Sequence, residues 1–151
     1  MTFRKAQRSD VPQIVKLLAE DMLGKVREQY TDPLPQCYYE AFDKIDSNEN
    51  EELLVIESTA GEIIGTLQLS FLQHLSYRGR VRAQIESVRV RKDSRNAGLG
   101  KQMIEWAIRR AKERNAHVVQ LASDKKRGDA IRFYERLGFR PTHEGMKLYL
   151  D

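Results

Sequence analysis

The chain has 151 residues, a formal net charge of +4 and 32% charged side chains. That length suits one folded domain, expected over residues 1–151, and so small a basic excess does not mark a nucleic-acid binder. No apolar run approaches the ~18–20 residues of a helical membrane span. The N-terminal stretch MTFRKAQRSD lacks the apolar centre of a secretory leader, so a cytoplasmic location is expected. Cys37 is the only cysteine, which rules out an intrachain disulfide and a cysteine-rich zinc site. His74, His117 and His143 show no ligand spacing, so no metal is expected and the three are taken as unrelated. The charge is uneven, however. Arg78, Arg80, Arg82, Arg89, Arg91, Lys92 and Arg95 fall in one stretch against only Glu86 and Asp93. Such a patch suits an anionic ligand of limited size, or a strand edge guarded by arginines against aggregation.

In chain order, Phe3–Ala6 predicts a short strand. Asp10, with Pro12 and Gln13 behind it, predicts the cap of a helix whose apolar stripe is Ile14, Leu17, Leu18 and Met22. Gly24, Pro33 and Pro35 mark residues 24–36 as a loop, and a second helix is expected over about Gln36–Ile45. Leu53–Ser58 and Ile63–Leu72 predict strands joined by a tight turn at Ala60–Gly61. Residues 73–80 form a connecting loop, and Val81–Val90 is the next strand. Leu99, Met103, Ile104, Ala107, Ile108 and Ala111 recur at helical spacing, predicting a helix from Gly98 to Arg114. His117–Ala122 predicts a strand. Ala130, Phe133, Tyr134 and Leu137 predict a further helix, ended by Gly138. Phe139–Leu150 supplies one or two final strands, with Gly145 as a break. These elements predict an α/β fold: a mixed, mostly antiparallel central sheet of six to seven strands with helices on both faces.

The stretch RKDSRNAGLG (91–100) carries more than a plain strand-to-helix turn needs. It does not match a Walker A loop, because Gln102 follows Gly100–Lys101 and residue 95 is arginine. It does not match a dinucleotide fingerprint either, because residue 103 is methionine and Gln120 stands where an acidic residue belongs. Arg95-Asn96-Ala97-Gly98-Leu99-Gly100 does fit a third pattern, R-x-x-G-x-G at a helix mouth. There the first backbone N–H groups lack internal partners, and glycines let a diphosphate approach them. An unliganded glycine-rich helix entry is the other reading of the same residues.

Together with AIRFYERLGF (130–139), about 30 residues further on, this loop resembles the GCN5-related N-acetyltransferase (GNAT) superfamily. The resemblance covers nearly the whole chain. It implies an acetyl-CoA-dependent N-acetyltransferase, with acetyl-CoA as co-substrate and direct attack by an amine on the thioester. It implies that backbone groups of Val88, Arg89 and Val90, near a β-bulge, meet pantetheine. Those of Asn96, Ala97, Gly98, Leu99, Gly100 and Lys101, with Arg95, would hold the pyrophosphate. Glu86 is the candidate general base and Tyr134 the candidate general acid. Arg127 stands where many family members carry an asparagine facing the cofactor, and its loop is a candidate for a cofactor phosphate. An ion-paired strand carboxylate is the plainer role for Glu86, and core packing the plainer role for Tyr134.

For the acceptor, the resemblance points to the first two helices and the loops at 24–36 and 73–80. These hold Tyr30, Asp32, Tyr38, Tyr39, His74 and Tyr77. A small-molecule amine is expected, with no nucleic acid or membrane as partner. Family members often pair, and Ile63–Leu72 offers an apolar surface for a homodimer. A non-catalytic acetyl-CoA sensor on the same fold is the alternative function. A small nucleic-acid binder using the 78–95 arginines ranks last, since Tyr77 is the only aromatic among them.

Overall fold

The computed structural model describes residues 1–151, which divide into two compact units, Met1–Gln120 and Leu121–Asp151. The first carries β1 (Thr2–Lys5), α1 (Val11–Ala19), α2 (Met22–Arg27) and α3 (Gln36–Asp46). These are followed by β2 (Glu51–Glu57), β3 (Ile63–Gln73), the one-turn segment α4 (Ser76–Gly79), β4 (Val81–Val90), α5 (Leu99–Glu113) and β5 (Ala116–Leu121). The strands form one five-stranded sheet in the order β1-β2-β3-β4-β5. The first three pairings are antiparallel. β5 is reached through α5, and the contacts Tyr77–His117 and Gln84–Gln120 ascend together, as parallel neighbours require. The sheet is therefore mixed.

Period-two alternation assigns the two faces. Val55 and Ile63 join Ala6, Val11, Ile14, Val15, Leu17 and Phe42 in a cluster under α1 and α3. On the opposite face, Ile56 and Met103 both lie against Gly65, which brings α5 down on the sheet. There Leu54, Leu67, Leu69, Met103 and Ile104 are each at most 1% exposed. Each such side chain contributes about 1.5–3 kcal/mol of burial.

Asp10 does not cap α1 with its side chain. Its carboxylate instead accepts from Gln7 N–H at 2.7 Å and from two Arg4 nitrogens at 2.8 and 3.0 Å, tying β1 to the first helix. Burial pushes this carboxyl up, but Arg4 and the Gln7 amide outweigh burial and hold it below the usual range. Gln13 is not part of a cap either. Its Oε1 accepts from Ile63 N–H at 2.9 Å.

Met22 does not extend the α1 stripe. It is exposed and opens α2, which Asp21 caps by accepting from Gly24 N–H. Gly24 is thus helical and buried rather than a loop breaker, because a Cβ there would sit 1.8 Å from the Leu18 carbonyl oxygen. Gly24→Ala is expected to cost about 3 kcal/mol and roughly 10 °C of Tm. A melting curve unchanged by the substitution would show that α2 shifts freely off α1.

β3 is the middle strand, with Ile63, Ile64, Leu67, Leu69 and Phe71 buried, so it offers no surface to a second copy. The second unit has one α-helix, α6 (Ala130–Arg136), after a 3-10 turn at Lys125–Arg127. Gly138, at φ +97°, ends it as expected: its N–H donates to the Glu135 carbonyl and that of Phe139 to Tyr134. The final strands predicted over Phe139–Leu150 do not form, which leaves five strands rather than six or seven. Met146, Leu148 and Leu150 alternate as a strand should, yet each is about nine-tenths exposed. Alternation alone does not make a strand without a neighbouring backbone to bond.

Candidate active site

The register of β3 and β4 shifts by one residue in the middle of the sheet. Gln68 faces Glu86 and Thr66 faces Arg89, so Ser87 and Val88 together oppose Leu67 alone. This is a β-bulge, at the place expected from the uneven alternation of Val81–Val90. Ser87 takes φ +55°, a left-handed conformation that costs a non-glycine residue on the order of 1–3 kcal/mol. It also borders a cavity of about 130 Å³ under α1 and α3, lined by Ile14, Phe42, Thr66 and Gln68 among others.

β4 then leads into the glycine loop. Arg91 N–H still bonds the Ile64 carbonyl at 2.8 Å, and Lys92–Ser94 form a 3-10 turn. Asn96 and Gly98 both have left-handed φ, +66° and +78°. Gly98 is the N-cap of α5 and makes no side-chain cap. The first amide bonded back into the helix is Gln102, to the Gly98 carbonyl at 3.2 Å. The N–H groups of Leu99, Gly100 and Lys101 thus have no carbonyl of the helix to bond. A Cβ built on Gly98 meets no atom within 4 Å, so this helix mouth is open space rather than packed interior. Unpaired donors, the positive end of a 15-residue helix and a side-chain-free approach suit a diphosphate. Leu99 is buried and anchors the loop.

The basic residues at this end are largely neutralised. Arg91 pairs with Glu62 at 2.8 Å and Asp93 at 2.6 Å. Arg95 donates to the Val90 carbonyl at 3.1 Å and lies 3.7 Å from Glu20, folding back over the strand end. Arg89 lies 4.0 Å from Asp21 and donates to the Val88 carbonyl at 2.8 Å. The bulge directs Arg89 to the same face as Glu86, whereas unbroken alternation would send it to the other.

Glu86 is exposed on β4, one residue before the bulge. Its Oε1 accepts from Gln84 Nε2, and Gln84 Oε1 accepts in turn from Gln120 Nε2 on β5 at 2.9 Å. This amide pair was not singled out from the sequence. Even spacing of Gln84 and Glu86 on one strand was the available signal. The ion pair with Arg82 or Arg89, the plainer role for Glu86, is not formed.

In the second unit, Tyr134 sits on α6 with its ring edge-on to Phe133 and Phe139, at centroid distances of 5.1 and 5.8 Å. Arg127 closes the 3-10 turn, its N–H donating to the Asp124 carbonyl at 2.9 Å. The six acceptor-side candidates do not form one aromatic pocket. Tyr38 and Tyr39 pack on the α1–α3 cluster, and the Tyr38 hydroxyl is bonded to Glu28 and to Gln29 N–H. Burial pushes that phenol up. Tyr30 is half exposed. His74 and Tyr77 lie instead at the start of β4, where Tyr77 stacks on His117 at 4.6 Å. Burial lowers the basicity of the His117 ring, and Arg80, Arg82 and His74 lower it further. No group of three His, Cys, Asp or Glu is arranged to hold a metal ion.

Comparison with known proteins agrees with this geometry. A crystal structure of a transcriptional regulator from Bacillus halodurans C-125 is 48% identical, covers 99% of each chain and superposes with a TM-score of 0.96. An aminoalkylphosphonate N-acetyltransferase of Salmonella typhimurium is 31% identical over 55% of this chain and 53% of its own length. The chain thus spans about half of that relative. An L-methionine sulfoximine/L-methionine sulfone acetyltransferase of Pseudomonas paraeruginosa is 28% identical over 91% of this chain and 79% of its own. The model of the acetyltransferase (GNAT) family matches residues 19–139, which takes in the bulge, the glycine loop and α6, and the chain belongs to that family.

Proposed function

We propose that the protein transfers the acetyl group of acetyl-CoA to the primary amine of a small molecule, by direct attack in a ternary complex. The observation that carries this reading is the bulge at Ser87–Val88, followed within ten residues by the open, donor-rich mouth of α5. Backbone N–H groups from Asn96 to Lys101 would bind the pyrophosphate, and backbone groups of Val88, Arg89 and Val90 the pantetheine arm. Arg127 would add charge toward a phosphate. The amine nitrogen bonds to the thioester carbon and the carbon–sulfur bond breaks. Glu86 takes the ammonium proton, directly or through water, and Tyr134 donates a proton to the departing sulfur. The residues suit this chemistry, because direct attack by the amine requires no side-chain nucleophile. We read residues 1–151 as one transferase domain working in the cytoplasm.

The two acetyltransferase relatives support an acceptor with an added feature. One is named for a phosphonate and the other for an amino acid, so each name describes an amine that also carries an anionic group. We extend that class to this chain.

The direct test is a screen of such amines for thiol release from acetyl-CoA, with mass detection of one added acetyl group. Glu86→Gln should lower kcat about 10²–10⁴-fold and remove the acidic limb of the pH–rate profile. A base must be ionised to act, so the limb rises with pH in the parent and is lost with the amide. A profile of unchanged shape would assign the proton to another group. A second reading, an acetyl-CoA sensor without turnover, is favoured by the 48% identical structure described as a transcriptional regulator. Tight acetyl-CoA binding with no thiol release from any amine would select it.

A further inference from the structure

Gln84 and Glu86 project from one face of β4, opposite Ser70 and Gln68 of β3. Two residues apart on a strand is about 6.7 Å, which lets two long side chains meet end to end. Gln84 Nε2 donates to Glu86 Oε1 there, and Gln84 Oε1 is taken by Gln120 Nε2 on β5. An amide has a donor end and an acceptor end. Turned over, Gln84 would set its oxygen against the carboxylate and its NH2 against that of Gln120. The chain therefore has one direction, from β5 to Glu86. It is also graded in exposure: Gln120 and Gln84 are half-buried and Glu86 is exposed. Holding a free glutamate in one rotamer costs up to about 2 kcal/mol. Here Oε1 is held, and Oε2 is left to take a proton. The other polar groups of this face have partners of their own. Gln68 and Ser70 both donate to Glu51 Oε2 on β2. Of the β4 arginines, Arg82 reaches the Ser76 hydroxyl at 3.5 Å, and Arg89, beyond the bulge, lies 4.0 Å from Asp21. Tyr38 of α3, whose hydroxyl is bonded to Glu28, lines the cavity that Gln68 and Ser87 border, and α1 brings only apolar side chains to it.

We infer that Gln84 is the positioning residue for the proposed base, and that Gln120 fixes which end of the Gln84 amide Glu86 meets. This rests on Glu86 acting as the base in the transfer proposed above. A base has to lie about 2.6–3.2 Å from the proton it takes, and a misplacement of about 1 Å can cost on the order of 100-fold in rate. An N–H donated to a carboxylate also favours the ionised form, which is the form that acts. Gln84 thus supplies both place and charge. The anchor of the chain is on β5, so Glu86 is held from one side while the ladder on its other side, between β3 and β4, is broken by the bulge.

The test compares kcat and its pH dependence in Gln84→Met, Gln120→Met, the double variant and Gln84→Glu, using acetyl-CoA and the most active amine of the screen. Methionine keeps the length of the side chain and removes both ends of the amide. Gln84→Met should lower kcat about 10–100-fold, leave KM for acetyl-CoA unchanged and move the acidic limb of the profile to higher pH. Gln120→Met should give a smaller change in the same direction. The double variant should be no worse than Gln84→Met, because Gln120 acts only through Gln84. Gln84→Glu still offers Gln120 an acceptor but sets a second carboxylate beside the first, so the limb should move furthest. A side chain that only ties β4 to β5 would change Tm and not the limb. Parental kcat and limb in Gln84→Met, or losses that add in the double variant, overturn the inference. If Gln84→Met does not fold, Gln84→Glu decides alone, and a limb left in place overturns it. Glu86→Gln separates the two readings. Should it lose the limb while the Gln84 variants keep theirs, only the positioning role falls. Should Glu86→Gln keep the parental profile, or no amine release thiol, the assignment of the base falls and this role with it.

Discussion

Gly98→Val should weaken acetyl-CoA binding at least about 100-fold while the protein stays folded. Two properties of this position separate affinity from stability. At φ +78° a β-branched residue is strained by about 1–2 kcal/mol, which lowers Tm by a few degrees. No protein atom lies within 4 Å of the new Cβ, so the core is not disturbed. The side chain projects into the space before the unpaired amides of Leu99, Gly100 and Lys101, where the diphosphate has to sit. Gly98→Asn is the companion variant, because asparagine adopts this conformation with less strain. It should keep the parent Tm and still lose affinity. Calorimetry giving parental affinity in both variants would mean that the helix mouth does not bind the nucleotide, and the proposed enzyme would have no basis.

Tyr134→Phe should lower kcat about 10²–10⁴-fold with little change in KM for acetyl-CoA. This substitution isolates chemistry from packing. The ring that contacts Phe133 and Phe139 edge-on is retained, and one oxygen is removed. If the residue only fills space, turnover stays at the parental rate and the proton must reach the sulfur from water or another group. A thiol with a lower pKa than the parent leaving group offers a further check. The rate lost in the variant should be partly restored with it, since such a thiolate departs without needing a proton.

Much of the architecture was legible because it is written in local pattern. The apolar period of Leu99 to Ala111 predicts α5 to within a residue, and the helix-stop glycine at 138 has the expected φ. The bulge was legible as a fault in alternation, since Glu86, Val88 and Val90 share parity but not chemistry. What failed depended on tertiary partners. Gly24 looks like a loop residue until its 1.8 Å approach to the Leu18 carbonyl is seen, and the sequence does not show what lies against it. Asp10 has the composition of a cap, yet Arg4 claims its carboxylate. Met146, Leu148 and Leu150 alternate correctly for a strand that never forms, because pairing is decided by a distant backbone. At the site, the glycine loop was legible from its own residues. The Gln120–Gln84–Glu86 chain and the separation of the arginines were not, because both require knowing which strands are neighbours.

The extra residue in β4 also limits how this stretch can change over generations. Upstream of it, even-numbered side chains share the Glu86 face; downstream, odd-numbered ones do, beginning with Arg89. Losing one residue at 87 or 88 would leave a single residue opposite Leu67 and close the bulge, with Arg89 still opposite Thr66 and on the Glu86 face. The packing on either side of the sheet would survive such a deletion, so the length of this segment is held by the gap it opens in the ladder and not by the core.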